Sequence, residues 1–378
     1  MTEIIDSNAV FERYYIFWKI LGFSTKYNKY LMFIYQIIVT GSITFGFPLH
    51  LNIGLVLTKS QEELFNNLVI NVASTACSIK FFFLLRDLKN MHKVNHLLSK
   101  LDVRVVAEDE RAYFHQKVNG HANKMVTMFS TAYFSVGFLS IASLFLDKNR
   151  RLVYPAWFPF DWKSTTQTYV GAVLFQFFGL YVQIVQNFVN DVYGPIAFCM
   201  FAGHVHLLGM RVSKIGHNEN TNALVHLSDL HDCVEDYNYL MSIYTTLQKV
   251  VSKPLFVQFF AGAVNICVAV VYLIFYANSI ITYVYYTMHL FSICVELFPV
   301  CYYGSLMEQE FRDLPYAIFS CKWFTQPQKF RRSVIIFTQL SLRNVTALAG
   351  GMVRIHLDSF FVTCKMAYSF FTAIMSMK

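Results

Sequence analysis

Long stretches without Asp, Glu, Lys or Arg are the feature that most constrains how this chain can fold. Residues 30–58 contain none of these four residue types, and residues 168–210 contain only Asp191. A helix needs about 20 largely apolar residues to cross the roughly 30 Å of hydrocarbon in a bilayer. Because a spanning segment must satisfy its backbone hydrogen bonds internally, these stretches predict an all-α, multi-pass membrane protein.

The overall composition agrees with that prediction. The chain is 55% hydrophobic and only 14% charged, whereas a soluble domain carries about 25% charged residues. Its net charge of +8 is not gathered into basic tracts with interleaved aromatics, so we expect membrane lipid and no nucleic acid as a partner. None of the eight cysteines has CxxC spacing, and we expect no metal, no cofactor and no disulfide framework.

The length criterion predicts seven spans in a single membrane domain covering residues 1–378. The predicted spans are residues 30–58, 64–85, 125–146, 168–210, two spans within 255–307, and 355–377. The fourth is about twice the length that a bilayer requires, so it is either broken near Gly194-Pro195 or projects beyond the membrane. We place the turn between the fifth and sixth spans at Ala277-Asn278-Ser279.

The distribution of Lys and Arg predicts the orientation. The N-terminal segment and the 2–3, 4–5 and 6–7 loops together carry 21 of these residues, and the opposite side carries 6. Cytoplasmic loops are enriched in Lys and Arg. The N-terminus is therefore predicted to be cytoplasmic and the C-terminus extracellular, which is the reverse of a G-protein-coupled receptor.

Five segments carry a resemblance to a known family. They read YPAWFPFDW at 154–162, ELFPVCYYGS at 296–305, YAIFSCKW at 316–323, AGGM at 349–352 and AYSFFT at 367–372. In this order and spacing, on a seven-span chain, they resemble the insect odorant receptors. The resemblance extends over essentially the whole chain and is sharpest after Glu296.

The resemblance implies a tetrameric, non-selective cation channel that volatile odorants open directly. Odour-tuned subunits of that family work with a shared odorant co-receptor subunit in the plasma membrane of olfactory neuron dendrites or cilia. Co-receptors have a much longer 4–5 loop than residues 211–254 provide here, so the resemblance favours a tuning subunit in a heteromer.

The last predicted span carries a polar stripe. Lys365, Ser369, Thr372 and Ser376 follow one another at spacings of 4, 3 and 4, which places them on one helical face. Ionisable groups at membrane depth normally face a bundle interior or water. We expect this stripe to line the ion path, as the last helix does in the family. The alternative is that the hydroxyls bond their own backbone while Lys365 extends to the interface.

An odorant offers mostly apolar area and one hydrogen-bonding group, so its pocket needs aromatic walls and few polar groups. We expect such a pocket in the outer halves of spans two, three, four and six. The candidate ligand-binding residues are Asn71, Phe134, Phe138, Ile141, Phe178, Tyr283 and Tyr286. Because the chain has 38 Phe and 23 Tyr, simple packing is the commoner role for any one aromatic.

Three charged residues interrupt the predicted spans. Asp191 and Glu296 are expected to hold helices together by pairing, with Lys80 as a possible partner, rather than to belong to the ion path. Gly350-Gly351 is expected either to permit a turn before the last helix or to pack tightly against a neighbour.

Two other classes of protein must be weighed. His92 and His96 have HxxxH spacing and His204 and His206 form a second pair, but the adjacent histidines of membrane di-metal enzymes are missing, so we expect no enzyme. A G-protein-coupled chemoreceptor is the main alternative. The charge distribution and the lack of a DRY-like triplet after the third span argue against it.

Overall fold

The computed structural model describes residues 5–23, 29–58, 60–145, 152–154, 156–218 and 222–376, with side chains throughout except at Lys29 and residues 140–145. Within these ranges the chain forms eleven α-helices and one short hairpin. The helices are α1 (Asn8–Ile20), α2 (Lys29–Val39), α3 (Gly46–Leu57), α4 (Gln61–Asp102), α5 (Glu108–Tyr113), α6 (Gly120–Phe145), α7 (Thr166–Ser213), α8 (Ala223–Phe275), α9 (Ile280–Phe319), α10 (Gln328–Ser341) and α11 (Leu357–Ser376).

Five helical segments of the described chain are long and apolar enough to cross a membrane. They are Tyr30–Leu57, Gln61–Asp102, Thr166–Ser213, Ala223–Phe275 and Ile280–Phe319. These segments coincide with predicted spans one, two, four, five and six. The remaining two predicted spans correspond to α6 and α11, so the all-α membrane class is confirmed while the count of seven stays a prediction.

The first of these segments is one continuous helix with a local change of pitch. A π-helical turn, Thr40–Phe45, joins α2 to α3, and a second one, Phe114–Asn119, joins α5 to α6. Such turns insert one extra residue per turn and shift the side chains that follow around the helix axis.

The fourth predicted span, which was expected either to break near Gly194-Pro195 or to project beyond the membrane, is the single helix α7. This helix runs through Gly194-Pro195 without a break and has 48 residues, which is roughly 72 Å at 1.5 Å per residue. It therefore projects well beyond a hydrocarbon layer of about 30 Å. The predicted turn at Ala277-Asn278-Ser279 is confirmed, since α8 ends at Phe275 and the Ser279 hydroxyl accepts from the amide of Thr282 to cap α9.

The prediction that the 2–3 and 4–5 segments are loops is wrong, because most of their residues are helical. α4 continues to Asp102 and α8 begins at Ala223, far outside the apolar stretches. The extensions pack as a second helical layer held by charges: Arg211 contacts Asp236 at 2.5 Å and Glu110 at 3.0 Å. Burial raises the pKa of Asp236 although Arg211 and Arg104 lie beside it.

A hairpin leads into the last helix. β1 (Leu348–Ala349) pairs antiparallel with β2 (Val353–Arg354), and Gly350 and Gly351 between them have φ of +61° and +72°. Two successive positive φ values are the requirement of a type I′ turn, which only glycine meets without strain. A Cβ on Gly350 would also lie 2.7 Å from the ring of Phe256, so both roles foreseen for this pair apply.

Candidate ligand site and pore helix

A buried polar network joins five helices in the middle of the apolar layer. The Lys80 ammonium on α4 lies 2.7 Å from the Asp191 carboxylate on α7, and both side chains are 3% exposed. Lys80 also donates to the Gln258 carbonyl on α8, and the Gln258 amide donates to Glu296 on α9 at 2.6 Å. The Tyr133 hydroxyl on α6 donates to the other oxygen of Asp191 at 2.5 Å.

The network confirms the expected pairing of Lys80 with Asp191 and brings Glu296 in through Gln258. Moving a single charge out of water costs several kcal/mol, and partners on all sides are what offset that cost. Each of the five helices therefore has a fixed depth and rotation where it meets the network.

All the predicted pocket residues lie on one side of this network along their own helices. Asn71 precedes Lys80 on α4, Phe178 precedes Asp191 on α7, and Tyr283 and Tyr286 precede Glu296 on α9. Phe134 and Phe138 follow Tyr133 on α6, which runs in the opposite direction. The candidate residues therefore lie in the same half of the helical bundle, as expected for residues that line one pocket.

Burial divides these residues into two groups. Asn71 is 5% exposed and Tyr286 is 2% exposed. Tyr286 stacks on Tyr272 with ring centroids 4.3 Å apart and donates to the Asn66 carbonyl at 3.0 Å. The Asn71 amide oxygen accepts from Thr75, while its nitrogen has no hydrogen-bond partner among the described residues.

The other aromatic candidates lie at the surface of the single chain. Phe138 is 71% exposed, and Phe134, Phe178 and Tyr283 are between 36% and 45% exposed. The ring of Phe134 lies 6.4 Å from that of Tyr181 on α7. The backbone of Ile141 is in α6, but its side chain lies outside the described residues.

A polar row on α9 was missed from sequence. Tyr285, His289, Ser292 and Glu296 follow at spacings of 4, 3 and 4, so they share one face that leads inward to the network. Ser292 is buried, and Nε2 of the half-buried His289 has no partner among the described residues. The same spacing singled out the stripe on the last helix and could have identified this one.

Two cavities lie elsewhere in the described chain. A cavity of about 760 Å³ opens between α9 and the end of α10 and is lined in part by Arg312, Tyr316 and Arg343. A second, of about 270 Å³, lies between the start of α8 and α10 and is lined in part by Leu230 and Phe337. Neither contains a predicted ligand-binding residue.

The proposed pore helix has two distinct faces. Ala367, Phe371 and Ile374 of α11 pack against Cys267 and Val271 of α8. Ser376 is nine residues after Ala367 and so lies about 180° around the helix from it.

All four members of the predicted stripe are on that outward side and are exposed: Lys365, Ser369, Thr372 and Ser376. The three hydroxyls donate to backbone carbonyls of their own helix, as the alternative to pore lining foresaw, and each oxygen keeps its capacity to accept a hydrogen bond.

The start of α11 is held by the segment in which the family resemblance is strongest. The Ser305 hydroxyl on α9 accepts from the Leu357 amide at 2.9 Å, and Glu308 forms an ion pair with Arg354. A Cβ on Gly304 would collide with the carbonyl of Ile355. Glycine and serine at these two positions allow α9 to contact the backbone that leads into the last helix.

One buried group contains the residue types of a hydrolase triad. The Ser7 hydroxyl donates to Asp102 at 2.7 Å and lies 3.0 Å from Nε2 of His204. The same Nε2 lies 3.3 Å from Asp102, so His204 does not stand between the serine and the acid as a relaying base must. The three residues, none more than 5% exposed, tie the start of α1 to α4 and α7.

In the part of the chain that the structure describes, no three His, Cys, Asp or Glu side chains come together in a way that could hold a metal ion. His206 contacts Glu310 at 2.9 Å and stacks on Tyr113, and the ring of His92 stacks on Tyr15.

Comparison with known proteins gives consistent relatives. The 7tm odorant receptor family model matches residues 60–368. Odorant receptor 33b of Drosophila melanogaster is 34% identical over 376 residues, which cover 100% of this chain and 99% of the relative. Odorant receptor 59a of the same fly is 31% identical over 400 residues and covers 100% of both chains.

The fold has a counterpart among solved structures. The insect olfactory receptor OR5 from Machilis hrabei superposes with a TM-score of 0.85 at 14% identity and covers 98% of both chains. A second structure of OR5, in complex with eugenol, superposes with a TM-score of 0.84 and covers 97% of both chains.

Proposed function

This chain belongs to the 7tm odorant receptor family, and we propose that it is the odour-binding tuning subunit of a ligand-gated, non-selective cation channel. It is an odorant receptor and not an enzyme, as its relatives over the full length are odorant receptors. In this proposal it assembles with an odorant co-receptor into a hetero-tetramer in the plasma membrane of olfactory neurons.

The observation that carries the channel proposal is the outward polar face of α11. A helix whose outer side faced only lipid would not carry a continuous polar stripe there, because polar groups in hydrocarbon are costly. Here Lys365, Ser369, Thr372 and Ser376 face away from the rest of the chain. A water-filled path shared with neighbouring subunits gives these side chains a polar environment.

The odorant is proposed to bind in the outer layer between α4, α6, α7 and α9. OR5 holds eugenol in a fold of the same kind, which supports a small volatile ligand for this chain. Asn71, Tyr286 and His289 offer polar groups in that layer, and the aromatic candidates Phe134, Phe138, Phe178 and Tyr283, with Ile141, supply apolar area around it. A ligand bound on the α6 side would then cover aromatic rings that are exposed in the single chain.

The proposed topology has seven spans, a cytoplasmic N-terminus and an extracellular C-terminus. The helical extensions of α4, α7, α8 and α9 then form the cytoplasmic layer, which contains most of the Lys and Arg residues.

Whole-cell recording tests the function. Cells that express this chain with an odorant co-receptor are exposed to a panel of odorants while G-protein signalling is blocked. A rapid cation current that needs both chains and survives the block is the expected result. A response that disappears under the block would instead support the alternative, a seven-span G-protein-coupled chemoreceptor.

A further inference from the structure

Unpaired polar atoms are concentrated where α4 packs on α7. Five side chains of these two helices are at most 5% exposed and each has one polar atom with no hydrogen-bond partner in the described ranges. These atoms are Nδ2 of Asn71, Oγ of Ser74, Oε1 of Gln183, Oε1 of Gln186 and Oδ1 of Asn190.

Hydrogen bonds hold two of these side chains, Gln183 and Asn190, against α4. The Gln183 amide donates to the Ser78 hydroxyl at 3.4 Å, and the Asn190 amide donates to the Cys77 carbonyl at 2.9 Å. Ser74 lies one turn before Ser78 and Asn71 lies one turn before Ser74, so the unpaired atoms of α4 continue along the same face. The fifth, Gln186, uses its nitrogen to donate to Thr44 at 2.7 Å.

Rotation of the amides does not remove the deficit. Turning Gln183 or Asn190 by 180° exchanges its oxygen and nitrogen, and one end of the group stays unpaired in either orientation. Buried polar groups in proteins are almost always hydrogen-bonded, and where protein partners are missing, internal water supplies the bonds. Several polar groups lie within one short stretch of the interface, which provides the polar lining that internal water needs.

We propose that the α4–α7 interface binds a file of ordered water molecules that extends from Asn71 to Asn190. At its inner end lie Asp191, the next residue along α7, and its partner Lys80, one turn beyond Cys77. The water file hydrates this ion pair at membrane depth and connects the polar network to the layer proposed for the odorant. A hydrated interface of this kind can change its hydrogen bonds without exposing apolar surface.

Cys77 is a reporter that the chain itself provides. Its sulfur lies 3.6 Å from the Asn190 nitrogen and 3.7 Å from the Gln183 carbonyl, and the side chain is 0% exposed. Cys301 on α9 is equally buried, at 0% exposed. The five unpaired atoms described above all belong to α4 and α7, and none belongs to α9. The two thiols therefore differ in their neighbours and not in their access to bulk solvent.

The test is X-ray radiolytic footprinting of the full chain, assembled with its co-receptor in lipid nanodiscs. Brief irradiation makes hydroxyl radicals from bound water, and these oxidise side chains in contact with it. Mass spectrometry should find Cys77 oxidised severalfold faster than Cys301. Equal and slow oxidation of the two cysteines would overturn the proposal.

Two matched variants make the same distinction through stability. Gln183→Met should release water, lower the oxidation rate of Cys77 and leave the melting temperature unchanged or reduced. If the interface were dry, the same change would remove an unpaired buried amide and raise the melting temperature. Gln176→Met is the control, because both ends of Gln176 are paired with the backbone of residues 153 and 154; it should reduce stability without changing Cys77 oxidation.

Discussion

At the scale of single residues, the ion pair between Lys80 and Asp191 is the clearest case in which partners decide the energy. Both groups are buried at membrane depth, and each has a second hydrogen bond, from Lys80 to Gln258 and from Tyr133 to Asp191. Removing one partner of such a pair leaves an uncompensated charge, whereas replacing both with apolar residues removes the problem.

The substitution Lys80→Met should therefore reduce stability by about 3–5 kcal/mol, because Asp191 is left buried without its cation. Thermal unfolding of the purified protein in detergent, together with surface expression, measures the effect. The double variant Lys80→Met with Asp191→Leu is the control and should recover most of the loss. A double variant as unstable as the single one would mean that the uncompensated charge of Asp191 is not what destabilises Lys80→Met.

At the scale of elements, α11 has an inner face that packs and an outer face that does not. Ala367 is 2% exposed against α8, while Thr372 is exposed on the other side. The same type of substitution should then have different consequences on the two faces.

Thr372→Leu is expected to change single-channel conductance or ion selectivity while surface expression stays normal, because it alters the proposed ion path and no packed contact. Ala367→Leu forces three extra carbons into a packed interface, a kind of change that typically costs about 1–3 kcal/mol, and should reduce surface expression. Currents and surface labelling of both variants provide the measurement. An unchanged current in Thr372→Leu would argue against the polar stripe as the pore lining.

The hairpin before α11 allows a comparison between adjacent glycines. Both have positive φ, which costs an alanine about 1–2 kcal/mol. Only at Gly350 would the new Cβ also meet Phe256, and nothing lies within 4 Å of one at Gly351. Gly350→Ala should therefore be the more destabilising substitution by thermal unfolding, and equal effects would indicate that the contact with α8 adjusts freely.

At the scale of the whole molecule, four helices reach well beyond the apolar layer and carry the chain's charges into a second layer. Arg104, on the turn after α4, contacts Glu235 on α8 at 2.6 Å, and Lys214 contacts Asp109 at 2.5 Å, which lowers the pKa of Asp109. A layer held by charged side chains needs water around it, so it must lie outside the bilayer and on one side of it.

The proposed orientation places that layer in the cytoplasm. An epitope tag at the N-terminus should be labelled by antibody only after the cells are permeabilised, whereas a tag at the C-terminus should be labelled on intact cells. A co-expressed cytosolic protein that stays unlabelled controls for leaky cells. Labelling of the N-terminal tag on intact cells would reverse the topology.

Patterns in the sequence alone determined where the apolar helices lie and which face of the last helix is polar. Charge-free length identified the apolar helices and the turn at residues 277–279, and a 4-3-4 spacing identified the outward stripe of α11, since both follow from helix geometry alone.

The tertiary structure decided the rest. The extensions of α4 and α8 outside the apolar stretches are stabilised by contacts with one another, so hydropathy carries no sign of them. Whether an aromatic residue faces inward depends on how neighbouring helices are rotated about their axes. That is why Tyr286 is 2% exposed and Phe138 is 71% exposed although both lie in predicted spans.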